Sequence, residues 1–350
     1  MKNELIDISS LYNLLNSKII NNCTIEITNV CSFFCSHCYI DKFKRKMMTF
    51  DEFKNIVNQL LCINCNSILI TGGEPTLNPD FIKMYKYAKE KGMFVSINTN
   101  GFYFNNDIKN IFLKFKPNLI EITLYGYNKE TYKKFTHVND SYNGVINSIE
   151  FLSINGIKFN LKATLTKENY MYLAEMRKIS YKYKCMFRYD YILFPKINEV
   201  NKGRNELSLT PKEIISVIKQ DEGDTFYFKE RVKEIQKDKN KNHYINKVFS
   251  CKIAKEIIYI DCNGFIKPCL VIDKKYNIKS WKIKDAIEDM RKYFDNIKFE
   301  NNFKCQNCYK RKLCRYCPGR NFLENGVYDT ASKFYCNLAD LLLEEFKEVE

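Results

Sequence analysis

The chain has 350 residues, of which 45% are hydrophobic, with fifteen cysteines and a net charge of +15. This hydrophobic content supports a sizeable core and excludes global disorder, and the length allows one large domain with a smaller one. The sequence has neither an apolar run long enough for a membrane span nor an N-terminal signal peptide, so we expect a cytoplasmic protein.

The net charge indicates less about function than the cysteines do. Basic residues are spread along the chain rather than gathered in one block, which favours a compositional origin over a nucleic-acid or acidic-peptide partner. In a reducing compartment, clustered cysteines indicate metal before disulfides. Their thiolates suit iron–sulfur clusters and zinc.

Strand-like apolar runs alternate with helical patterns along residues 20–195. The six runs are 23–28, 67–71, 93–98, 119–124, 159–165 and 186–193. Thr49 and Glu52 form a capping-box pattern for one helix, and Asn78, Pro79 and Gly92 mark the cap, first turn and end of the next. The alternation predicts a parallel sheet with right-handed crossovers that curls into a partial α/β barrel, with catalytic groups at the carboxyl ends of its strands.

Composition divides the chain into four parts. We predict an N-terminal extension over 1–20, an α/β core over 21–196, a polar helical bridge over 197–248 and a smaller domain over 249–350. Cysteine density rises in the last part. Because that part has too little regular core of its own, we expect bound metal to hold it together.

The first cysteine cluster directly follows the first strand. Cys31, Cys35 and Cys38 are spaced C-x3-C-x2-C, which brings three sulfurs to one point and provides no fourth. Three ligands on a four-iron cubane leave one iron open, as catalysis needs. The alternative is a zinc knuckle with a distant fourth ligand, although zinc sites more often carry two C-x2-C pairs.

This spacing is the signature of the radical S-adenosylmethionine (SAM) superfamily, which residues 20–195 resemble. Residues 71–75, TGGEP, look like the family's GGEP motif, which binds the SAM amino group. By this resemblance the glycines let backbone approach the ligand, and Glu74 pairs with the SAM ammonium. The implied SAM contacts are Gly72, Gly73, Glu74, Pro75, Ser96, Asn98 and Thr123, with Asn100 and Tyr125 at comparable strand ends.

The resemblance implies a partial (β/α)6 radical SAM barrel and its chemistry. In this family the cysteine-bound [4Fe-4S] cluster gives one electron to SAM, which yields methionine and a 5′-deoxyadenosyl radical that removes hydrogen from an unactivated C–H bond. The cofactor carries this chemistry, while the protein orients the substrate and excludes water. His37 stands where the family commonly has Tyr or Phe, and its planar ring can still pack on adenine. Asp190, on the sixth strand, is a candidate proton acceptor.

The C-terminal cysteines resemble the SPASM domain of radical SAM peptide maturases. One departure is the last close pair, which is C-x2-C rather than C-x3-C. By that resemblance, one auxiliary [4Fe-4S] cluster is held by Cys305, Cys308, Cys314 and Cys336. The other is held by Cys251, Cys269 and Cys317, with Cys262 favoured as the fourth ligand.

Two alternatives concern this cysteine-rich part. Structural zinc in a ribbon-like fold would use the last four closely spaced cysteines. Cys262 precedes an Asn263-Gly264 pair that predicts a two-residue hairpin turn, which would present its thiol near Cys269. Without that ligand, an open iron could instead bind a substrate thiolate.

The SPASM resemblance implies an enzyme that modifies peptides and uses SAM and three [4Fe-4S] clusters, one SAM-binding and two auxiliary. We expect hydrogen abstraction from a residue of a ribosomally synthesised peptide, leading to a thioether or carbon–carbon cross-link. Alternatives are an anaerobic sulfatase-maturating enzyme that generates formylglycine and an RNA-modifying radical SAM enzyme. The SAM motifs count against a non-catalytic iron–sulfur electron carrier.

The same interpretation names the partners. We expect a precursor peptide or protein as substrate and a reducing partner such as flavodoxin or ferredoxin. About 20 residues precede the first strand, too few for a leader-binding domain, so we expect the leader to bind elsewhere on the chain or to a separate protein. Neither a membrane nor a nucleic acid is an expected partner.

Overall fold

The structure is a computed structural model that describes residues 20–40, 45–197, 199–238, 244–245, 247–249, 251–299 and 303–347. Residues 1–19, most of the predicted N-terminal extension, lie outside this part of the chain. The first six strands are Asn22–Glu26 (β1), Ser67–Thr71 (β2), Phe94–Thr99 (β3), Leu119–Leu124 (β4), Phe159–Thr164 (β5) and Met186–Asp190 (β6). The helices among them are Phe50–Cys62 (α1), Phe81–Glu90 (α2), Asn106–Lys114 (α3), Lys129–Thr136 (α4), Ser141–Ile154 (α5) and Leu173–Lys182 (α6).

These strands form the parallel part of one sheet. Each of β1 to β5 pairs in parallel with the next strand along the chain. β6 lies at one edge, so the sheet stays open, as a partial barrel requires. The predicted mixed α/β fold with six parallel strands is confirmed. The predicted sixth run is too long, because its strand ends at Asp190.

Periodic apolar positions explain how these elements pack. α1 buries one stripe at helical spacing, made of Phe53, Ile56, Val57 and Leu60. In β3 the buried residues at 95 and 97 alternate with partly exposed polar residues at 96 and 98, so the two faces of the strand differ in chemistry. The predicted capping box at the start of α1 is also present.

The predicted cap at Asn78 is wrong. α2 begins at Phe81, two residues later than that cap requires. The buried Asn78 amide instead donates to the carbonyls of Ile27 and Met48, at 2.9 Å each. A buried amide must find partners, and here those partners are the chain that leaves β1 and the chain that enters α1.

The C-terminal part extends the same sheet. The bridge contains Pro211–Lys219 (α7) and Glu222–Asp238 (α8), followed by the strands Ile257–Ile260 (β7), Phe265–Lys267 (β8) and Tyr276–Asn277 (β9). The sheet order is β6-β5-β4-β3-β2-β1-β7-β8-β9, with β7 parallel to β1. The cysteine-rich part therefore shares the sheet of the core. Its helices are Ile283–Asn296 (α9), Pro318–Asn325 (α10) and Lys333–Glu345 (α11).

The predicted hairpin between β7 and β8 is present, but its turn is longer than expected. The Gly264 N–H donates to the Asp261 carbonyl at 2.9 Å, and the Asp261 N–H donates to the Phe265 carbonyl at 3.1 Å. Gly264 has φ of 77°, which glycine adopts without a steric penalty. This is a three-residue loop with a glycine bulge, and it places Cys262 inside the turn rather than at a strand end.

The helices in the described ranges include none that is long and apolar enough to cross a bilayer.

Candidate functional site

Three thiols line one cavity at the carboxyl ends of the parallel strands. Cys31, Cys35 and Cys38 reach it from the loop after β1. Backbone and polar side chains from the ends of β2 to β5 complete the wall, including Thr71, Gly72, Gly73, Asn98, Thr99, Asn100, Thr123, Tyr125, Lys162 and Thr164. The cysteine loop after β1 and the glycine motif after β2 therefore meet at one site, because β1 and β2 are neighbours in the sheet.

The glycine motif packs against the stem of the cysteine loop. The Gly73 N–H donates to the Thr28 carbonyl at 2.8 Å, and the Glu74 N–H donates to the Val30 carbonyl at 2.7 Å. A Cβ on Gly72 would lie 2.4 Å from the Thr28 oxygen, and one on Gly73 would lie 2.4 Å from the Val30 oxygen. Glycine is needed here because two backbones approach closely.

Glu74 holds this motif to the end of β3. Its side chain is buried and accepts hydrogen bonds from the Asn100 N–H at 2.7 Å, the Thr99 hydroxyl at 2.8 Å and the Thr76 N–H at 3.1 Å. Burial raises the pKa of Glu74, and these hydrogen bonds oppose that shift. The carboxylate is absent from the cavity lining. The structure therefore gives this carboxylate an anchoring role, and its pairing with a SAM ammonium stays a prediction.

The other predicted cofactor contacts divide into two groups. Gly72, Gly73, Asn98 and Thr123 line the cavity. Pro75 is buried at the start of a short 3-10 turn, and Ser96 lies two residues deeper in β3 than Asn98, on the same face. These two residues do not contribute to the cavity wall.

Asn98 supplies a direct observation on how the site fits a polar ligand. Its Oδ1 is buried without a hydrogen-bond partner in the part of the chain that the structure describes. Because buried acceptors are nearly always satisfied, an orphan acceptor in a cavity wall indicates a ligand or water that donates to it. The three thiols and this acceptor fit a cysteine-bound cluster with a polar cofactor beside it.

Aromatic rings flank the third cysteine. The His37 ring centroid lies 5.0 Å from that of Phe135 and 5.9 Å from that of Tyr125. Tyr125 stacks on Phe135 at 5.3 Å, and burial raises the pKa of Tyr125, so its hydroxyl stays neutral. Because His37 and Tyr125 both line the cavity, flat ring surfaces are available for a purine.

Lys162 is a cavity residue that the sequence analysis missed. It lies on β5, with its Nζ 3.8 Å from a Glu121 oxygen. Arg188 makes two hydrogen bonds to the same carboxylate, at 2.6 and 2.7 Å. Burial lowers the pKa of Lys162 to about 8, and Glu121 opposes this shift. The sequence signal for Lys162 was its position between two apolar residues in the strand FNLKAT.

Four of the C-terminal cysteines lie close to one another. Burial raises the pKa of Cys305 to about 11, with further contributions from the neighbouring thiols of Cys336, Cys314 and Cys308. Burial likewise raises the pKa of Cys314 to about 11, and Cys336 and Cys308 add to it. The structure thus brings together the four residues assigned by resemblance to one auxiliary cluster.

A second group contains three cysteines. Burial raises the pKa of Cys269 to about 12, with further contributions from Cys317 and Cys251. The pKa of Cys251 is raised by burial and by Cys317. These three cysteines are the ones assigned by resemblance to the other auxiliary cluster. Cys262, the favoured fourth ligand, is not among them.

Cys262 faces a different neighbour from the one expected. It is buried and hydrogen-bonds to Glu26 of β1, which also accepts from the Tyr259 hydroxyl. Burial and then Glu26 raise the pKa of its thiol. The structure thus pairs the thiol of Cys262 with Glu26, and its role as a fourth cluster ligand stays a prediction. Cys262 instead lines a cavity that shares Asn29 and Tyr39 with the three-thiol cavity.

The arrangement of the described residues does not fit a site for a single metal ion. The described residues contain no group of three or more His, Cys, Asp or Glu arranged to hold one metal ion. The donors around the cavity and in the two C-terminal groups are thiols, the ligand type of iron–sulfur clusters.

Comparison with known proteins identifies the core. The radical SAM superfamily model matches residues 25–178. The chain carries a radical SAM domain. The predicted radical SAM core is confirmed by this match, and the matched residues include the three-cysteine loop, the glycine motif and β2 to β5.

Curated relatives share this domain to different extents. The Fe-coproporphyrin III synthase of Methanosarcina barkeri is 29% identical over 148 residues, 41% of this chain and 37% of that protein. The chain therefore spans well under half of that relative. The AdoMet-dependent heme synthase of the same organism is 21% identical over 334 residues, 87% of this chain and 92% of that protein.

Solved structures agree with the fold over nearly the whole chain. Streptococcus suis SuiB bound to its precursor peptide SuiA superposes with a TM-score of 0.71 at 17% identity, covering 94% of this chain and 78% of that one. Native anSMEcpe with bound AdoMet superposes with a TM-score of 0.68 at 19% identity, covering 93% and 96%. The agreement in fold thus extends beyond the matched domain into the cysteine-rich part.

Proposed function

We propose that the protein is a radical SAM enzyme that modifies a peptide or protein, forming a thioether or carbon–carbon cross-link in a ribosomally synthesised peptide. The observation that carries this proposal is the agreement in fold, over both the sheet and the cysteine-rich part, with SuiB in its complex with a precursor peptide. A reducing partner such as flavodoxin or ferredoxin, and a separate protein that binds the peptide leader, belong to the same proposal.

The proposed cofactors are SAM and three [4Fe-4S] clusters. Cys31, Cys35 and Cys38 would hold the first cluster, and the two groups of C-terminal cysteines would hold the others. When bound, the first cluster and SAM supply a carbon-centred radical that removes hydrogen from an unactivated C–H bond. Asn98 would accept a hydrogen bond from SAM, and His37 and Tyr125 would offer ring surfaces to its adenine.

The chain's own contribution is to hold the site together. Glu74 and the glycines join the cysteine loop to β2 and β3, which keeps the three thiols in one wall of the cavity. The aromatic rings around Tyr125 give the space beside the third cysteine an apolar wall, which would help to exclude water once cofactor and substrate are bound. Exclusion of water protects a reactive intermediate from side reactions.

A second candidate is a reaction on a tetrapyrrole. The alignment with the heme synthase favours this candidate, because it covers most of both chains. The alignment with the Fe-coproporphyrin III synthase is weaker support, because most of that protein lies outside it. A tetrapyrrole and a peptide place very different demands on the cavity, so substrate assays separate the two candidates. We favour the peptide because the cysteine-rich part and the core together adopt the SuiB fold.

The test uses the full chain reconstituted with iron and sulfide. Dithionite and SAM are added, with synthetic copies of short peptides encoded beside the gene or with Fe-coproporphyrin III. We expect 5′-deoxyadenosine together with a peptide that has lost two hydrogen atoms and contains a cross-linked fragment. A Cys35→Ala variant is the control, because its loop lacks one of the three thiols.

Each other result excludes part of the proposal. An aldehyde in the peptide would identify a formylglycine-generating enzyme. Conversion of the porphyrin with no change in any peptide would establish the tetrapyrrole candidate. Absence of 5′-deoxyadenosine from an iron-replete wild-type protein would contradict the radical SAM assignment of the activity itself.

A further inference from the structure

A second cavity lies beside the three-thiol cavity, between the ends of β5 and β6 and the cysteine-rich part. Its volume is about 350 Å³. The lining residues from the sheet are Lys162–Thr164 and Arg188–Ile192, and two arginines, Arg315 and Arg320, close it from the C-terminal side. This space is therefore formed jointly by the core and the cysteine-rich part.

The charge of this cavity is predominantly positive. Four cationic side chains line it, and Asp190 is the acidic residue in the same wall. Glu121, beside the cavity, pairs with Lys162 and Arg188 and offsets part of their charge. Glu324 interacts electrostatically with Arg320 but is already paired with Arg204 at 2.9 Å, and the Asp190 Oδ1 already accepts from the Ile192 N–H at 2.9 Å. The positive charge of the two arginines on the C-terminal side is therefore only partly offset.

Arg320 packs the flat face of its guanidinium on an aromatic ring and also interacts with the Tyr335 side chain. Its guanidinium carbon lies 4.8 Å from the Phe194 ring centroid. Its Nε and Nη1 are buried and have no hydrogen-bond partner among the residues that the structure describes. Because a buried guanidinium with unpaired N–H groups is costly, these donors indicate an anionic ligand that the protein itself does not supply.

The position of Arg320 is fixed by close packing. It belongs to α10, whose first turn contains Gly319, and a Cβ on Gly319 would lie 2.6 Å from a Val271 methyl group. On the same C-terminal side, Arg315 donates to the Tyr191 hydroxyl at 3.0 Å. Two guanidinium groups are thus anchored before any ligand enters, which lowers the cost of ordering them on binding.

The two cavities are adjoining. Lys162 and Thr164 line both, so a group bound at the arginines lies next to the space in front of the three thiols. A guanidinium presents its N–H donors in a planar fork that matches a carboxylate. We propose that this second cavity binds a carboxylate of the substrate and thereby positions neighbouring substrate carbons at the three-thiol cavity. The inference rests on the radical SAM function proposed above.

A carboxylate of this kind has two chemical sources. One is an acidic side chain or the C-terminus of a peptide, and the other is a carboxylate of a porphyrin. Both would make the same contacts with Arg315 and Arg320, so the chemistry of the cavity does not separate them. The peptide is the source that the proposed function requires.

The arginines have one competing role. Arg320 interacts electrostatically with Cys317, and Arg315 lies between two cysteines in sequence. A guanidinium there could serve only to offset the negative charge of thiolate ligands. That role predicts loss of bound iron when the arginine is replaced, with no effect on the affinity for carboxylates.

The experiment measures binding to the iron-reconstituted full chain without catalysis. The probes are a dansyl-labelled hexaglutamate peptide, its hexaglutamine counterpart and Fe-coproporphyrin III. We expect hexaglutamate to bind more tightly than hexaglutamine, and Arg320→Gln to weaken hexaglutamate binding roughly 10- to 150-fold, the loss of one charge-assisted hydrogen-bonded pair. Arg231→Gln, which removes the same charge from a salt bridge on α8, is the matched control and should bind like wild type.

Further variants keep the test decisive. Arg320→Lys keeps the charge without the planar fork and should give an intermediate affinity, and Arg315→Gln tests the second arginine of the cavity if Arg320→Gln does not fold. Tight binding of Fe-coproporphyrin III, lost in Arg320→Gln, with equal affinities for the two peptides would keep the carboxylate site and assign it to a porphyrin. Equal peptide affinities without such porphyrin binding, or iron loss in Arg320→Gln with unchanged carboxylate affinity, would overturn the inference.

The proposed function is tested separately. Cross-link formation by a wild-type protein that fails to distinguish the two peptides would reject the carboxylate site alone. Carboxylate binding without any peptide product would reject the peptide reaction alone.

Discussion

The two cysteine-containing regions of this molecule are built in opposite ways. Cys31, Cys35 and Cys38 belong to one short loop, anchored at its stem to the glycine motif and at Phe34 to the Thr136 carbonyl, 2.9 Å away. The C-terminal cysteines come from separate segments joined by 3-10 turns and short strands. The first region is organised by the sheet, whereas the described thiols of the second come from loops, 3-10 turns and the starts of α10 and α11.

This difference indicates where bound metal contributes to folding. In the core, backbone hydrogen bonds and glycine packing place the thiols whether or not a cluster is present. In the C-terminal part, ligand bonds would supply order that the local backbone does not, because metal binding to such a segment is coupled to its folding.

Metal removal should therefore affect the two regions differently, and this is the largest effect we expect. Stripping iron from the reconstituted protein should abolish amide exchange protection around residues 305–336 while β1 to β6 stay protected. Structural metal sites contribute on the order of 10 kcal/mol to folding. Hydrogen exchange with mass spectrometry checks this, and equal loss of protection in both regions would contradict the comparison.

Gly73→Ala should disrupt the anchored loop. The new Cβ would lie 2.4 Å from the Val30 oxygen, so the loop stem must move. We expect a loss of about 1–3 kcal/mol in the free energy of unfolding, as for overpacking, with reduced iron at the first site. Gly223→Ala in α8 is the control and should change stability by less than about 1 kcal/mol. Normal iron content and stability in Gly73→Ala would show that the close approach is not required.

The variant Glu74→Gln distinguishes a role of Glu74 in anchoring the glycine motif from a direct contact with SAM. An amide replaces one accepting oxygen with a donor, so one of the N–H or hydroxyl groups at Thr76, Thr99 or Asn100 loses its partner. We expect a loss of about 1–3 kcal/mol in stability. SAM affinity, measured by calorimetry on iron-replete protein, should change less than in Asn98→Ala. A large loss of SAM affinity at unchanged stability would restore the direct pairing expected from the motif.

Cys262→Ala should have the smallest effect on metal content. Its thiol contacts Glu26 rather than the group formed by Cys251, Cys269 and Cys317. We expect unchanged iron per chain, whereas Cys269→Ala should lose about four irons, one cubane. Loss of the same amount of iron from Cys262→Ala would reinstate it as a ligand.

The sequence predicted the parts of this molecule that depend on local patterns. Alternating apolar runs identified six strands, and the spacing of Cys31, Cys35 and Cys38 identified the loop, because both signals lie in short stretches of chain. The glycine motif lines the cavity, but the sequence did not predict the direction of its Glu74 side chain. That direction depends on Asn100 and Thr99, at the end of another strand.

Features that depend on distant pairing could not be predicted. The parallel pairing of β7 with β1 brings Cys262 to Glu26 and extends the core sheet into the cysteine-rich part. The second cavity likewise combines Lys162 from the sheet with Arg320 from α10. No local spacing in the sequence signals either juxtaposition.

Iron content, measured with zinc on the same samples, tests the central claim most directly. The account predicts about twelve irons per wild-type chain, which is three cubanes of four. A variant in which Cys31, Cys35 and Cys38 are all replaced by Ala should retain about eight irons, those of the two auxiliary clusters. About four irons with stoichiometric zinc in the wild-type protein, and none in the triple variant, would contradict the account and support a zinc ribbon in the C-terminal part.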